Sequence, residues 1–354
     1  MKILYLGDDF KHATSAHRAA ALRRLGHEVA HLDPAQEAVP ASRWICSLNI
    51  RTGFRLFAPL VRRRLIRAIR GQRFDLAWID AGPQLGPAFY RELVRRGLRI
   101  INYNHDDPFG NRDHRKWDLY KSALRYHDLT AVVREENIAE ALACGSKKVV
   151  RVFRSYDPVA HAPLPVTPED KQKWSSDVVF VGTWMPERGP FLARLLQLGV
   201  PLSIWGVRWQ KAAERARLQP AVRGEEFLYG SDYVKALQCS KVALGLLSVG
   251  NRDLHTTRSA EIPFMGGACF CAERTAEHLA MFREGEEAVF WSSAEECAAQ
   301  CRKALADPAF RERLSGAARR RIIQMGLSND ENIAWILDAL RAEASDIGRP
   351  LPKH

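Results

Sequence analysis

The sequence has no long apolar run: none of its hydrophobic stretches approaches the ~20 residues needed to span a bilayer. The first segment, MKILYLG, runs straight into Asp8 and Asp9. It therefore lacks the extended apolar core and the small-residue cleavage site of a signal peptide. These absences lead us to expect a cytoplasmic protein.

Cysteine is scarce, and its spacing excludes the common zinc modules. The 354 residues include seven cysteines, an odd number that cannot all pair within one chain. Neither Cys269 and Cys271 nor Cys297 and Cys301 are followed by partners at the spacing of a zinc site. We expect reduced and mostly buried thiols.

Signatures of nucleic-acid-binding modules are also missing, although the formal net charge is +12. Residues 1–170 hold 28 Lys and Arg against 19 Asp and Glu, whereas residues 171–354 hold 25 against 22. This excess of basic residues favours an anionic partner, such as nucleic acid, anionic lipid or a phosphorylated substrate. The first half of the chain is the half that would attract this partner. Because no helix-turn-helix or zinc-finger pattern is present, nucleic acid is the least favoured of the three.

Strand-like and helix-like segments alternate through the first half of the chain, which predicts a parallel sheet covered by helices on both faces. The predicted strands are 2–7, 27–32, 76–79, 99–103, 129–133 and 148–153. The predicted helices lie near 15–25, 56–70, 86–96, 113–125 and 135–143.

A proline-rich stretch, 156–173, interrupts this alternation and predicts a linker without regular structure. The alternation then restarts. The predicted strands are 178–182, 202–206, 242–247, 268–271 and 288–291, and the predicted helices are 190–198, 233–239, 257–265, 294–305, 309–324 and 329–343.

The predicted fold is α/β, with two Rossmann-like doubly wound domains and an interdomain cleft. We expect an N-terminal domain over 1–156, a linker over 157–176, a second domain over 177–327, and a helix and tail over 328–354 that pack back on the first domain. In doubly wound sheets, ligands bind at the carboxyl ends of the strands.

The segment after strand 242–247 has the residues of a phosphate and sugar site. Asp253 and Glu261 are acids with seven residues between them, and Arg258 lies between them. Either Thr256 or Thr257 is a candidate N-cap for the following helix, whose free amides and dipole suit a phosphate. Arg258 can bind phosphate oxygens in pairs, Glu261 can accept hydrogen bonds from a ribose diol, and Asp253 can accept them from sugar hydroxyls. The alternative is an ordinary capped helix with an Arg/Glu pair.

Residues 258–270, with Glu261 and the turn at Gly266 and Gly267, resemble the donor-binding segment of group 1 glycosyltransferases of the GT-B fold. The similarity is greatest to the branch named for the spore-maturation protein CgeB, whose acidic strand approach resembles 277–290. The resemblance implies a GT-B glycosyltransferase in which the second domain binds the nucleotide sugar. The first acid is Asp253 rather than the family's Glu, and its arm is shorter.

The same resemblance implies roles for two further segments. Gly182 follows the first strand of the presumed donor domain, and an arginine placed like Arg188 can meet the diphosphate; a solvated helix start is the alternative for Arg188. His105 and Asp106 resemble a His-Asp pair that follows a strand in related enzymes and faces the donor sugar.

An inverting glycosyltransferase needs a base for the acceptor hydroxyl, and several side chains after the first and fourth strands qualify. These candidates are Asp8, Asp9, His12, His17, His105 and Asp106. Asp106 or Asp9 is the preferred base, with His105 orienting the donor sugar; a retaining enzyme needs no such base.

We expect no cofactor and no metal. Arg188, Arg258 and the helix start near Thr257 can stabilise the leaving diphosphate without a cation. Adjacent acids such as Asp8 and Asp9 tend to diverge, and no Asp-x-Asp pattern lies at a strand end.

A basic amphipathic segment runs from Arg51 to Arg73. Its apolar positions follow helical spacing, and arginines occupy much of the rest. Such a helix can lie on an anionic membrane or meet an anionic acceptor, which would make the protein peripheral to the inner face of the membrane. The alternative is a core-facing helix with a solvated basic face.

The sequence therefore favours a metal-independent transferase that moves a sugar from a nucleoside-diphosphate-sugar donor to an unidentified acceptor, which can be a glycan, a lipid-linked molecule or a protein. A sugar-nucleotide epimerase of the same shape and a basic nucleic-acid-binding protein are the alternatives. Turnover of donor alone would favour the epimerase, and salt-dependent DNA binding without nucleotide affinity would favour the nucleic-acid-binding protein.

Overall fold

The structure is a computed structural model that describes residues 1–36 and 43–342. The chain divides into two compact units. The N-unit comprises Met1–Phe153, Gly250–Arg252 and the described residues from Asn329 onward. The C-unit comprises Arg154–Val249 and Asp253–Ser328.

The N-unit has a parallel sheet of six strands in the order β2-β1-β3-β4-β5-β6. The strands are β1 (Lys2–Leu6), β2 (Glu28–Leu32), β3 (Leu76–Asp80), β4 (Arg99–Asn104), β5 (Leu129–Val132) and β6 (Val149–Arg151). Every residue of β3 is buried, as expected for a central strand covered on both faces.

Helices flank this sheet, and their apolar sides complete its core. The helices are α1 (Thr14–Arg24), α2 (Arg43–Arg51), α3 (Ala58–Ala68), α4 (Pro87–Arg95), α5 (Asp118–Ala123) and α6 (Glu136–Ala143). Leu22 of α1 packs with Tyr5 and Trp78 on one face of the sheet. Leu65 of α3 packs with Ile79 on the other.

The C-unit repeats this plan with a parallel sheet in the order β12-β11-β10-β7-β8-β9. Its strands are β7 (Ser176–Val181), β8 (Leu202–Trp205), β9 (Val222–Gly224), β10 (Ser240–Gly245), β11 (Cys269–Glu273) and β12 (Val289–Trp291). Its helices are α7 (Pro168–Trp174), α8 (Arg188–Gln197), α9 (Arg215–Leu218), α10 (Gly230–Gln238), α11 (Arg258–Met265), α12 (Ala276–Met281), α13 (Ala294–Ala306) and α14 (Pro308–Gln324). The prediction of two doubly wound parallel α/β sheets is confirmed.

The last helix, α15 (Asn329–Arg341), belongs to the N-unit. Its Ile333 and Ile336 are fully buried in the same core cluster as Tyr5 and Leu22. Arg24 of α1 and Asp330 form an ion pair with a 2.7 Å separation between Nη2 and Oδ2.

The prediction that the proline-rich segment contains no element is wrong, because α7 lies within it. Thr167 Oγ1 accepts a hydrogen bond from the Asp170 amide, and Asp170 Oδ2 accepts one from the Thr167 amide. Pro168 occupies the first helical position, where its missing N–H has no intrahelical partner to lose. Proline here starts a helix instead of preventing one. The sequence reading also missed the helices α2, α9 and α12 and the strand β9.

The basic segment is a core-facing helix with an exposed basic face. Val61, Leu65 and Ile69 are buried in the N-unit core, so the apolar side of α3 is covered by protein. The arginines of α3 are exposed. Within the two described stretches of chain, none of the helices combines the length and apolar character that crossing a bilayer requires.

Candidate functional site

The C-unit has a topological switch point between β7 and β10. The two strands are neighbours, and the chain continues from β7 toward β8 on one side and from β10 toward β11 on the other. The connections that follow these strands therefore leave the same edge of the sheet in opposite directions. Ligand sites of doubly wound sheets form at such edges.

Arg188 links the two connections at this edge. Its Nη1 donates a 2.9 Å hydrogen bond to the Thr183 carbonyl oxygen after β7, and its Nη2 donates a 2.9 Å hydrogen bond to the Leu247 carbonyl oxygen after β10. The residue is buried, and no carboxylate in the described chain lies within ion-pair distance of its guanidinium. Burial lowers the pKa of Arg188 to about 10, and the positive charge of Arg258 contributes.

Arg258 is the first residue of α11 and supplies the second cation. Its Nη1 lies 3.8 Å from Glu261 Oε2, and its guanidinium lies over the Tyr233 ring at 5.3 Å. The backbone amides of Thr257 and Arg258 donate no hydrogen bond to any group in the described chain. Two guanidinium groups and a helix start with free amides favour an anion at this edge.

The side-chain cap expected from Thr256 or Thr257 is absent. Thr257 occupies the N-cap position, but its φ and ψ of −56° and −33° are helical, so its hydroxyl does not reach back to an amide of the first turn. Its Oγ1 accepts a hydrogen bond from Arg258 Nη1 instead. Ser259 Oγ accepts a hydrogen bond from the Thr256 amide at 3.1 Å.

Glu261 is held in a buried position by two side chains. Tyr233 Oη of α10 donates a 2.6 Å hydrogen bond to Glu261 Oε2. His161 Nε2 lies 3.6 Å from Glu261 Oε1, and the amide of Asp157 donates to His161 Nδ1 at 2.9 Å. The carboxylate is therefore fixed at one end of α11 and one turn from Arg258.

Asp253 lies in a buried ion pair. Arg154 Nη2 donates to Asp253 Oδ1 at 3.0 Å, and both side chains are less than a tenth exposed. The backbone amide of Arg154 also donates to His255 Nε2 at 2.9 Å. The structure thus commits one oxygen of the residue assigned to sugar binding to an intramolecular contact.

Two histidines complete the support behind α11. His255 accepts at Nε2, so its Nδ1 carries the proton that is donated to Glu277. His278 Nδ1 lies 2.6 Å from the Glu273 carbonyl oxygen, and its Nε2 lies 2.8 Å from Ser259 Oγ. Burial lowers the pKa of His278 to about 4, so the ring is neutral at pH 7.

Gly182 lies at the end of β7, where its backbone already has protein partners. Its amide donates to the Trp205 carbonyl oxygen at 2.9 Å, and its own carbonyl oxygen accepts from Trp209 Nε1 at 3.1 Å. A Cβ atom at this position would lie 2.7 Å from the Phe180 ring. A Cβ atom on Gly206 would lie only 2.2 Å from the carbonyl oxygen of Gly182. The absence of side chains at Gly182 and Gly206 therefore lets the loops after β7 and β8 pack closely against each other.

The N-unit has its own switch point, between β1 and β3. A cavity of about 290 Å³ lies there, lined by residues such as Gly7, Asp80 and His105. Asp80 accepts hydrogen bonds from Tyr5 Oη at 2.6 Å and from Arg18 Nη2 at 2.9 Å. Burial alone would raise the pKa of Asp80, but the Arg18 guanidinium outweighs it and holds the pKa below its ordinary value.

The three proposed catalytic residues have different surroundings in the N-unit. His105 lines the cavity, and its Nδ1 lies 3.9 Å from Asp80 Oδ1. Asp106 lies outside the set of residues that line the cavity; its carboxylate oxygens lie 3.9 Å from Arg112 and from Lys116. The exposed Asp9 accepts a 2.6 Å hydrogen bond from Gln36.

Two clusters in the described chain have metal-ligand geometry. Carboxylate oxygens of Asp8, Asp9 and Asp33 lie within 4.8 Å of one another, as do the sulfurs of Cys271, Cys297 and Cys301. The argument that the first two acids diverge is therefore wrong. They lie in a loop, not a strand, and β1 and β2 are neighbours that end at the same edge.

Sequence reasoning missed the residues that position the acids. Tyr233 and His161 are distant from Glu261 in the sequence, as Arg154 is from Asp253, and nothing in their spacing relates them. The one usable signal was local: His255 lies within the 251–261 segment, and a histidine between two acids is a candidate for a buried hydrogen-bonded role.

Comparisons with known proteins bear on the family and the fold of the chain. The sequence model of a family described as Glycosyl transferase-like matches residues 188–337, from α8 into α15. No curated protein matches the sequence.

Solved structures align over almost the whole chain. Sucrose-phosphate synthase from Thermosynechococcus elongatus has a TM-score of 0.67 at 14% identity, covering 96% of this chain and 98% of its own. The Anabaena protein Alr3699/HepE, solved with UDP and glucose, has a TM-score of 0.64 at 13% identity, covering 96% and 100%. A candidate UDP-N-acetylglucosamine 2-epimerase from Listeria monocytogenes has a TM-score of 0.61 at 11% identity, covering 99% and 98%.

At these identities the alignments show the fold, which is that of GT-B glycosyltransferases. Together with the family match, the fold supports a glycosyltransferase. Membership of the CgeB-like branch stays a prediction, because none of the comparisons tests it.

Proposed function

We propose that the protein transfers a hexosyl group from a nucleoside-diphosphate sugar to an acceptor hydroxyl. The observation that carries this proposal is the pair of cations at the C-unit switch point. Arg188 is buried, no carboxylate of residues 1–36 or 43–342 lies within ion-pair distance of it, and the nearby charge of Arg258 contributes to lowering its pKa. A diphosphate would relieve this repulsion and would also accept hydrogen bonds from the free amides at the start of α11.

The remaining donor contacts follow from the position of Glu261. Its carboxylate is fixed one helical turn from Arg258 and is suited to accept hydrogen bonds from a ribose diol. One carboxylate oxygen of Asp253 is bonded to Arg154, so we assign Asp253 mainly to positioning the loop before α11. Its contact with the sugar hydroxyls is a secondary role. Gly182 contributes by allowing the two loops to pack closely.

The transfer needs no metal in this proposal. A leaving diphosphate develops negative charge as its bond to the sugar breaks, and fixed cations can stabilise that charge. Arg258 and the amides of α11 supply this stabilisation, while the buried charge of Arg188 strengthens it.

For an inverting reaction we assign the base to His105 instead of Asp106 or Asp9. His105 lines the N-unit cavity and has Asp80 within 3.9 Å to orient its ring. Asp106 faces two cations, and Asp9 is hydrogen-bonded to Gln36. The cavity would then hold the acceptor hydroxyl.

The test is a calorimetric panel of UDP, GDP, dTDP and ADP against the wild-type protein, Glu261→Gln and Arg258→Ala. We expect one nucleotide to bind, and each substitution to weaken it by about tenfold or more. Glu312→Gln, on the exposed side of α14, is the matched control and should bind as the wild type does. Absence of binding by all four nucleotides would overturn the donor-site assignment.

A candidate epimerase has the same fold, so the epimerase alternative needs a test of its own. Once the base is known, the corresponding nucleotide sugars are incubated with the protein alone. A transferase leaves the sugar configuration of the donor unchanged, whereas an epimerase converts the donor without any acceptor.

We also propose a peripheral contact with anionic membrane through α2 and α3. Since the apolar side of α3 is buried, this contact depends on its exposed arginines and on apolar side chains of α2. Trp44 and Leu48 share one face of α2 and are 87% and 52% exposed. Sedimentation with phosphatidylglycerol vesicles, compared with phosphatidylcholine vesicles, tests it. Binding should disappear in Arg63→Ala/Arg67→Ala/Arg70→Ala, and equal binding to both vesicle types would contradict it.

A further inference from the structure

The N-unit contains a second, mostly apolar cavity of about 280 Å³. The first turns of two helices form much of its wall: Ala58 and Pro59 of α3, and Pro87, Ala88 and Phe89 of α4. Such a lining favours an apolar group over a sugar, because buried apolar surface is the main source of affinity in a cavity without many polar partners.

Two arginines give this apolar cavity a cationic rim. Arg55 and Arg62 both belong to its lining. Arg55 is 57% exposed and lies 3.9 Å from Asp118, whereas Arg62 has no carboxylate within ion-pair distance in the described chain. The first turns of α3 and α4, where unpaired backbone amides leave a partial positive charge, line the same cavity. The cavity is therefore complementary to a ligand that carries an anionic group on an apolar chain.

Gln84 lines both this cavity and the polar one that contains His105. Its Oε1 is buried and accepts no hydrogen bond from any described residue. It lies in the connection after β3, where Ala81 has a φ of 57° and Gly82 a φ of 74°, so the backbone turns sharply between the two cavities. Gln84 is thus a wall shared by the two cavities, along which a ligand in one of them can extend toward the other.

We propose that the acceptor is an anionic lipid whose apolar chain occupies the second cavity. Its anionic group lies at Arg55 and Arg62, and its hydroxyl-bearing head extends past Gln84 toward His105. In this inference, which rests on the proposed transferase function, the membrane is the source of the acceptor. The sugar is transferred to the lipid head group: the acceptor oxygen bonds to the sugar carbon, the sugar–phosphate bond breaks, the base takes the hydroxyl proton, and the nucleoside diphosphate leaves.

Calorimetry below the critical micelle concentration tests the cavity with three probes: dodecyl phosphate, dodecyl maltoside and inorganic phosphate. We expect dodecyl phosphate to bind at least tenfold more tightly than either of the others, because only it offers both chain and charge. If inorganic phosphate bound as tightly as dodecyl phosphate, the arginines would form only a surface anion site, which would overturn the proposal. Failure of dodecyl phosphate to bind would also overturn it.

Matched arginine variants separate the cavity from the overall charge of the basic segment. Arg62→Ala should weaken dodecyl phosphate binding by about tenfold, whereas Arg73→Ala, which removes the same charge from an exposed position beyond α3 and outside the lining, should not change it. Equal losses in both variants would mean that only net charge matters, which contradicts the proposal. Ala88→Leu, which fills the cavity, should weaken binding while circular dichroism shows the fold retained.

The role of Gln84 is tested with a hydroxylated head group. Gln84→Ala should weaken binding of lauroyl lysophosphatidylglycerol by several-fold and leave dodecyl phosphate binding unchanged. Equal effects on both amphiphiles would show that the head does not pass Gln84.

Transfer itself is followed as radiolabelled sugar that enters the organic phase when donor and phosphatidylglycerol vesicles are supplied. Nucleotide binding by the wild-type protein separates the two proposals, and Arg62→Ala should keep nucleotide binding while it loses the label. If nucleotide binding persists but no label is extracted and no amphiphile binds, the acceptor inference fails alone. If nucleotides do not bind, the transferase proposal fails, while amphiphile binding still reports on the cavity.

Discussion

Tyr233 Oη donates a 2.6 Å hydrogen bond to Glu261 Oε2, and both side chains are buried. The phenol belongs to α10 and the carboxylate to α11, so this bond joins two helices. Burial, and then the neighbouring carboxylate, raise the pKa of Tyr233, which keeps the phenol protonated and able to donate. Glu261 is therefore presented in one orientation.

Tyr233→Phe should weaken nucleotide binding by about tenfold, because a hydrogen bond to a charged group is lost and the carboxylate becomes free to rotate. Calorimetry with the nucleotide found in the panel measures it. Tyr126→Phe is the matched control, since Tyr126 lies in the N-unit and packs by its ring against the core. Unchanged affinity in Tyr233→Phe would show that the orientation of Glu261 is irrelevant to binding.

The buried pair of Arg154 and Asp253 predicts a strong dependence of stability on both partners. Asp253→Ala should lower the free energy of unfolding by about 3 kcal/mol, since it leaves a buried guanidinium without its counter-charge. Urea denaturation measures the change. The double variant Arg154→Met/Asp253→Ala should be less destabilised than the sum of the two single variants. Additive losses would mean that the pair has no coupling energy.

Neutral His278 predicts a loss of stability in mild acid. Because its folded pKa of about 4 lies below the unfolded value of about 6.5, the unfolded state binds more protons between these pH values. Stability from this group is full above pH 6.5 and falls as the pH drops toward 4, by about 2 kcal/mol between pH 6.5 and pH 5. Urea denaturation at several pH values measures this change. The free energy of unfolding should depend less steeply on pH in His278→Gln than in the wild type. An identical slope would exclude His278 as the source.

The sequence was sufficient for the fold because the strands are buried and the helices have apolar faces. It was less informative about the site. Arg258 and Glu261 are one helical turn apart, so their association is local and readable. Arg154 and Asp253 are brought together only by folding, and the free thiols of Cys271, Cys297 and Cys301 converge from a strand and a helix. Proline at Pro168 indicated a break but formed a helix start, because its effect depends on the cap residue before it.

Metal independence predicts that EDTA leaves nucleotide binding unchanged within about twofold, since the cations of this site are arginines. Calorimetry with EDTA and with added magnesium measures it. The cluster of Asp8, Asp9 and Asp33 gives the competing outcome. Burial raises the pKa of Asp33, and the charges of Asp8 and Asp9 add to this, so a bound cation would lower it. Activity that requires magnesium and is lost in Asp33→Asn would contradict metal independence.

Removal of the base separates catalysis from binding. His105→Gln should lower the rate of nucleoside-diphosphate release by about a hundredfold or more, because proton transfer to a positioned base contributes about this much. Its nucleotide affinity should equal that of the wild type, since His105 belongs to the N-unit and the nucleotide contacts are assigned to the C-unit. Asp9→Asn, at an exposed carboxylate bonded to Gln36, is the comparison and should retain most of the rate. If Asp9→Asn or Asp106→Asn loses the rate and His105→Gln keeps it, the base is that acid, and the cavity beside His105 serves binding alone.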